Sequence, residues 1–401
     1  MRFGRTLPPA AAPIGPAQFL DGIRGCFRGE RELERFRSEL RDAFGVRHCF
    51  LLSSGQAALA LILQALKALQ PQRRAVIIPA FTCYSVPAAI VRAGLDIRPC
   101  DLAADRLDFD PGQLAQMLSA PAGENDVLAV IPTHLYGQPA NVEAVRRLVA
   151  GSSVAVIEDA AQAMGEGEEA RKLGTLGDVG FFSLGRGKAL SAVEGGVILT
   201  NRDDIAGELD RLVERLPGYG MSHRLKLVVM AAALMLLMHP RVFWLPSSLP
   251  FLKLGETVYD PDFGMRRMSA FQAGLTRNWQ PRLLRLREGR KAQVGRWMRI
   301  LGRRVSELGG GNCGLIRLPV AIRDAGRRQA FLDQGAQAGL GVRAAYPTSV
   351  DGIPQLRGVF DAEQYPVAHD HAATLVTLPT HGYVREKDME QAGAILARIE
   401  S

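Results

Sequence analysis

The chain has 401 residues, of which 47% are hydrophobic and 22% charged, with a formal net charge of +8. Such a chain can bury a sizeable core without covalent staples, and its length suits two domains of unequal size. Its five cysteines (Cys26, Cys49, Cys83, Cys100 and Cys313) are odd in number and form no C-x-x-C pair, which argues against a disulfide framework and a zinc site. Arginines are spread along the chain without a like-charge block, so nucleic acid is not an expected partner. Residues 1–20 lack a basic start followed by an apolar run, so no secretory leader is expected and the chain reads as cytoplasmic with reduced thiols.

In the first two thirds, continuous apolar runs at 75–79, 127–132 and 154–157 predict strands buried on both faces, as in a parallel sheet. Helical patterns separate them at 56–68, 84–93 and 142–149. This alternation predicts a doubly wound α/β domain whose ligands bind beyond the carboxyl ends of the strands. Residues 225–252 stand apart. The stretch 227–238, LVVMAAALMLLM, carries no charge and is flanked by Arg224, Lys226 and Arg241, with further apolar runs at 242–245 and 249–252. A membrane span needs about 20 such residues. Two readings stay open: a helix buried in the core or in a dimer contact, or a monotopic surface lying peripherally on the inner face of a membrane, where it could receive a lipid-linked substrate.

From about residue 283 the texture changes. A long basic helix at 283–307 is followed by strand, helix and strand patterns at 315–319, 328–338 and 374–378. The expected division is a large domain, 1–282, and a smaller C-terminal α/β domain, 283–401. Residues 309–314 satisfy GxGxxG, but a helix precedes them and a strand follows, the reverse of a dinucleotide fingerprint, so they read as a linker turn. His369 and His371 are two apart and share no helix face, so they read as a surface pair, and no metal site is expected.

The chemistry concentrates between Val154 and Thr200. A buried strand ends in Glu158-Asp159, Lys188 follows in a glycine-bounded loop, SLGRGK, and another apolar run, 197–200, follows Gly195-Gly196. Pyridoxal phosphate (PLP) needs a lysine amine for its aldehyde, an acid facing its pyridine nitrogen, and hydroxyls and amides at a helix start for its phosphate. Lys188, Asp159, and Ser183 with Ser54-Gly55-Gln56 can meet those needs. Taken singly, a lysine in such a loop is a solvated side chain, and Asp159 or Ser54 a helix cap. It is their order that makes the case. His134 at a strand end and His381 in a loop are candidate substrate contacts, and Arg186 is a candidate source of positive field or a surface residue.

With these residues in view, the chain resembles the DegT/DnrJ/EryC1/StrS family of PLP-dependent sugar aminotransferases of fold type I. The resemblance rests on SSGQAALALIL, PAFTCYSVPAAIVRAG, THLYGQPANVEAV, EDAAQAMG, GDVGFFSLGRGKAL, EGGVILTN, RRMSAFQAGL and LPTHGYVREKDME, in that order. It implies Lys188 as the Schiff-base lysine and proton shuttle, Asp159 paired with the pyridine nitrogen, and Gln162 on the ring or its hydroxyl. Ser183, Ser54, Gly55 and Gln56 would hold the phosphate. It also implies a homodimer with shared active sites, an amino acid donor such as glutamate and a keto-sugar acceptor in surface polysaccharide or glycolipid biosynthesis. A branch of the family replaces the lysine by histidine and dehydrates, so Lys188 implies amino transfer. The chain departs from the pattern in three places. Cys83 stands where an aromatic usually packs on the ring, with Tyr84 next to it. Met265 stands where a partner-chain Asn contacts the phosphate, and Gln56 replaces a Thr or Ser. Another PLP reaction on a lipid-linked substrate, or a non-catalytic PLP-binding relative, remains the alternative.

Overall fold

The computed structural model describes residues 4–119, 126–168, 171–249, 257–302, 306–308, 313–360 and 364–400. Nine short strands come first in the chain: β1 His48–Leu52, β2 Ala75–Pro79, β3 Asp96–Cys100, β4 Val127–Val130, β5 Ala155–Asp159, β6 Gly167–Glu168, β7 Arg171–Lys172, β8 Val179–Ser183 and β9 Gly196–Thr200. Seven of them form one sheet in the order β1-β9-β8-β5-β4-β2-β3, while β6 and β7 pair with each other. From β8 to β3 every pairing is parallel, and only β9 runs against the other strands, so its pairings with β8 and β1 are antiparallel. The expected doubly wound, mainly parallel sheet is therefore present. AVIIP in β2 and VLAV in β4 are buried at every position, as strands covered on both faces must be.

Helix Gly55–Leu69 buries Ala57 to Leu63 without a break, so both its sides are covered. It starts where the sequence places it, because Ser54 caps it: Ala57 N–H donates to Ser54 Oγ at 3.0 Å. The carboxyl ends of β2, β4, β5 and β8 all lead into segments that carry candidate residues: Cys83, His134, Asp159 and Ser183. The strand order reverses between β2 and β4, which puts that edge of the sheet where open α/β folds bind ligands.

A second, four-stranded antiparallel sheet has the order β10-β11-β13-β12, with β10 Ser306–Glu307, β11 Arg317–Ala321, β12 Arg343–Ala344 and β13 Leu375–Pro379. Helix Trp279–Leu301 leads into it, so the basic helix starts and ends earlier than the sequence pattern indicates. Trp297, Phe331, Leu318 and Leu378 centre this sheet's core, and Leu7 from the far end of the chain joins them. Leu7 N–H donates to Gly339 O at 2.8 Å and Arg5 pairs with Asp388. The first described residues thus pack with the C-terminal sheet and strap the two regions together.

Two expectations need correction. The apolar segment forms helix Met221–Leu237, which buries only Leu227 and Ala231. Leu227 and Ala231 join a core cluster with Val228, Met230 and Leu234 packed against it, while Met221, Leu225, Val229 and Leu236 are largely exposed, so this chain's core covers only one face of the helix. The charge-free register is apolar all round, and one chain offers it only one wall. No described helix is long and apolar enough to cross a membrane. The histidine pair is only half a surface feature: His369 stays partly exposed, whereas His371 is buried. His371 is buried edge-on to Phe81, with ring centroids 6.0 Å apart, and His369 binds Asp351 at 2.8 Å. Residues 250–252 of the apolar segment and 309–312 of the glycine run lie outside the described residues.

Helix Pro16–Arg28 crosses helix Ala270–Leu275 at glycine contacts. A Cβ on Gly274 would lie 2.4 Å from Asp21 O, and one on Gly25 2.4 Å from Ala270 O. Gly274→Ala should therefore cost roughly 1–3 kcal/mol in a denaturant titration. Gly207→Ala, in a helix with open space at that position, should leave the midpoint unchanged or raise it.

Candidate active site

Asp159 ends β5, buried, with its carboxylate accepting the Ala161 N–H at 3.0 Å. Burial raises its pKa, while the Ala161 amide and the charges of Lys188 and His134 pull it back down. Asp159 and Lys188 are thus brought within electrostatic reach of each other. Lys188 itself is half-buried in the loop after β8. Gly187 before it has φ 75°, a conformation that favours glycine. The loop's main chain is clamped by Arg290, whose guanidinium donates to the carbonyls of Ala189 (3.0 Å), Lys188 (3.2 Å) and Ala11 (3.3 Å). Burial pushes Arg290 down to about 10, with the Glu166 charge opposing.

Beside this loop lies the start of helix Gly55–Leu69. A Cβ at Gly55 would stand 2.8 Å from Ser183 Cβ, and one at Gly196 2.1 Å from Ser54 O. Only glycines permit this approach, which sets a serine hydroxyl against the amides of a helix N-terminus. That is an anion cradle. Gln56 is half-buried, and its Nε2 donates to Asp260 O at 3.1 Å, tying the helix start to the segment that precedes Met265. The residues present fit PLP: a phosphate cradle, a lysine loop next to it, and a buried carboxylate within that lysine's field.

A third wall comes from an aromatic group. Tyr136 has φ 58°, and its ring stacks on Tyr346 at 6.0 Å and 14°. Gln162 joins them: its Oε1 accepts the Tyr136 N–H and its Nε2 donates to the Tyr346 hydroxyl, both at 3.2 Å. Phe81 meets Tyr346 edge-on at 5.4 Å. Cys83 lies half-buried against this group and accepts the Ser85 hydroxyl at 3.1 Å. Tyr84 is turned away to the C-terminal region, its hydroxyl accepting the Thr348 N–H at 3.0 Å.

The substrate contact expected of His134 does not survive. Its Nδ1 accepts the Ala140 N–H at 2.9 Å, so Nε2 carries the proton and donates to Glu158 at 2.7 Å, and the ring is wholly buried. His381 is also closed to substrate in this structure. Nε2 donates to Pro8 O at 2.8 Å and the residue is 3% exposed. Arg186 is exposed and makes no ion pair among the described residues. Residue-level reading missed Arg290, hidden in a helix full of arginines, and Tyr346, which lies in no motif. Tyr136 lay inside the HLYG segment and went unremarked because its role depends on Tyr346.

A helix-start cradle, a loop lysine and a strand-end carboxylate on an open α/β sheet define the cofactor site of a fold-type-I PLP protein. The profile of the DegT/DnrJ/EryC1/StrS aminotransferase family matches residues 24–397, and the chain belongs to that family. With the family comes its cofactor, pyridoxal 5′-phosphate. The chain is 29% identical over 180 residues to GDP-perosamine synthase from Vibrio cholerae, covering 45% of this chain and 47% of that one. It is 33% identical over 193 residues to L-glutamine:2-deoxy-scyllo-inosose aminotransferase from Streptoalloteichus tenebrarius, covering 47% and 43%. The chain spans about half the length of the curated relatives it matches. The fold is similar to that of a putative sugar aminotransferase from Streptococcus pneumoniae in its PMP form, with a TM-score of 0.76, 18% identity and full coverage of both chains.

His381 supplies a pH prediction. Burial, with the charges of Arg290 and Arg317, pushes it from 6.5 down to about 4, against the Pro8 carbonyl. The unfolded chain therefore binds a proton on this residue between about 6.5 and 4 that the native state does not. This contribution is complete above the upper value and is lost as pH falls through the window, for a total of roughly 3 kcal/mol. Stability measured from pH 7 to pH 4 should fall less steeply in His381→Gln than in the parent, and parallel curves would contradict the assignment.

Proposed function

We propose that this chain is a PLP-dependent aminotransferase that moves an amino group from an amino acid, glutamate first among candidates, to a keto sugar. Lys188 carries the reading: it is half-buried in the loop that follows Ser183, whose side chain closes on Gly55, and its charge acts on the buried carboxylate of Asp159. When bound, PLP supplies an aldehyde that takes the donor's nitrogen and a ring that accepts its electrons. Asp159 would hold the protonated ring nitrogen. A cation beside this buried carboxylate opposes the desolvation that otherwise raises its pKa, so the acid stays ionised where it is needed. Lys188 would hold the cofactor's aldehyde and, when its amine is free, would move the proton of the donor carbon as base and then acid. Ser54, Gly55, Gln56 and Ser183 anchor the phosphate, and Gln162 orients the ring edge next to Tyr136.

The active unit in this reading is a homodimer with shared sites, and the setting is surface polysaccharide or glycolipid biosynthesis. The exposed apolar face of helix Met221–Leu237 borders a groove of about 1000 Å³ that reaches Leu33, Phe50 and Phe271 and is walled by Arg37 and Arg41. The outer part of the helix, with His223, Arg224 and Lys226 near its start, suits peripheral contact with an anionic membrane face. If it does not, removing residues 227–252 will leave the membrane-associated fraction unchanged.

The central test is the donor half-reaction. Reconstituted protein should show a visible band that glutamate discharges with release of 2-oxoglutarate. Lys188→Ala should bind the phosphate end but lose turnover by about 10²–10⁴-fold or more. A band that no amino donor discharges would end the transaminase reading.

A further inference from the structure

No step of amino transfer uses the groove beside helix Met221–Leu237. Helices Pro16–Arg28, Glu30–Phe44 and Asp203–Arg215 meet the edge strand β1 there. The segment at Arg267–Met268 runs along that edge, with Met268 N–H donating to Leu51 O at 3.1 Å. The volume of about 1000 Å³ is at the upper end of the roughly 300–1000 Å³ typical of small-molecule sites. Its lining is apolar along Leu33, Phe50, Val228, Met268 and Phe271. Met221 and Leu225, which line it from the apolar helix, are 81% and 63% exposed. Such a surface is stabilised by being covered.

The charges at the groove divide into two sets. Arg37 pairs with Glu30 and Glu34, Arg41 with Glu34, and Arg47 with Asp203. These cations are already neutralised. Arg224 and Arg267 pair with no Asp or Glu among the described residues. Arg224 donates its Nε to Tyr219 O at 2.8 Å, and its charge acts on the Cys26 thiol, which also lines the groove. Arg267 is pinned by its main chain, which bridges to Leu52 and donates to Pro217 O at 3.1 Å. The acids of the lining, Glu30, Asp210 and Glu214, are outnumbered by its five arginines. An apolar trough with two guanidiniums left over matches an amphiphile that carries an anion, and a phosphate monoester suits two arginines best. The stretch 227–238 is free of charge and flanked by Arg224, Lys226 and Arg241, as in a helix lying in a bilayer interface with its cations turned to the head groups.

We propose that this groove is a lipid-phosphate site: it takes one apolar chain between helix Met221–Leu237 and β1 and holds the phosphate of that lipid with Arg224 and Arg267. The lipid comes from the bilayer on which the helix rests, so the inference deepens the membrane contact proposed for that helix. It is independent of the PLP reading. The bound chain would lie close to the cofactor end of the sheet, because the segment bearing Arg267 is also fastened to Ser53: Ser53 N–H donates to Arg266 O at 2.8 Å, and Arg266 N–H to Ser53 Oγ at 3.1 Å.

The test uses the full-length holoprotein and decyl phosphate below its micelle concentration, read by calorimetry without any vesicle. Binding should be saturable, with one site per chain, and at least about 10-fold tighter than that of inorganic phosphate or of the uncharged decyl maltoside. In the double variant Arg224→Gln/Arg267→Gln the affinity for decyl phosphate should fall about 10–100-fold. Leu225→Glu changes an exposed residue, so the fold is kept, and it should abolish binding by placing an anion in the trough. Equal affinity for decyl maltoside, or an unchanged affinity in the double variant, overturns the phosphate site. No saturable binding overturns it as well, and a dimer that Leu225→Glu splits into monomers in sedimentation would show a second copy covering the groove instead. Because the probe is a soluble amphiphile, a failure of vesicle binding is seen separately, as is a parent protein without the visible band.

Discussion

Everything at the site hangs on the last two residues of β5. Successive side chains of a strand face opposite ways, so Glu158 and Asp159 send adjacent carboxylates to opposite sides of the sheet. Glu158, wholly buried, accepts the His134 ring (2.7 Å), the amides of Gly174 and Leu176 (both 2.6 Å) and that of Gly177 (3.2 Å). Those bonds saturate one carboxylate and lock the end of β5 to the loop after β4 and to the turn before β8. Asp159 is held in place by this frame, with only the Ala161 amide as a close partner of its own. The frame satisfies its anion completely, so the site can leave its own anion short of partners. That shortage supports the pairing with a cationic ring nitrogen proposed for Asp159.

Strain is placed by the same logic. Among the described non-glycine residues, positive φ occurs at Tyr136, Val193 and Asn278. The first lies in the aromatic group at the site and the second in the turn after the lysine loop, and such conformations cost on the order of 1–3 kcal/mol each. Tyr136 is held by its own amide on Gln162 and by its carbonyl on Ile316. Val193 is a β-branched residue in the turn between the lysine loop and β9, where Ser191 Oγ accepts its amide at 3.3 Å. Its neighbour Glu194 takes the Tyr219 hydroxyl, and its carbonyl accepts Gln272 Nε2 at 2.8 Å. The surrounding hydrogen bonds therefore over-determine both turns, and the strain is carried by a rigid frame.

The large sheet, the capped helix at Ser54 and the order of Asp159 and Lys188 were legible in the sequence because each is a local signal. They are a continuous apolar run, a cap before a helical pattern, and a polar pair at a strand end. What the sequence did not show needs a second segment. His134 looked like a cleft residue because it follows a strand, and only Glu158 and Ala140 reveal that both its nitrogens are used. Arg290 and Arg317 are unremarkable among the arginines until burial singles them out. Tyr346 has no motif around it, and its importance comes from Tyr136, Gln162 and Phe81 meeting it in space.

The strap at the N-terminus bears on how the two sheets act together. Arg5 and Leu7 pack with the C-terminal core, Thr6 N–H donates to Pro240 O at 2.8 Å, and Pro8 O takes the His381 proton. Ala11 O then accepts from Arg290, the residue that clamps the Lys188 carbonyl. One extended segment thus touches the apolar insert, the C-terminal core and the lysine loop in succession. The segment after the apolar helix is in this way joined to the lysine loop by one main-chain hydrogen bond, the strap itself and the Arg290 side chain.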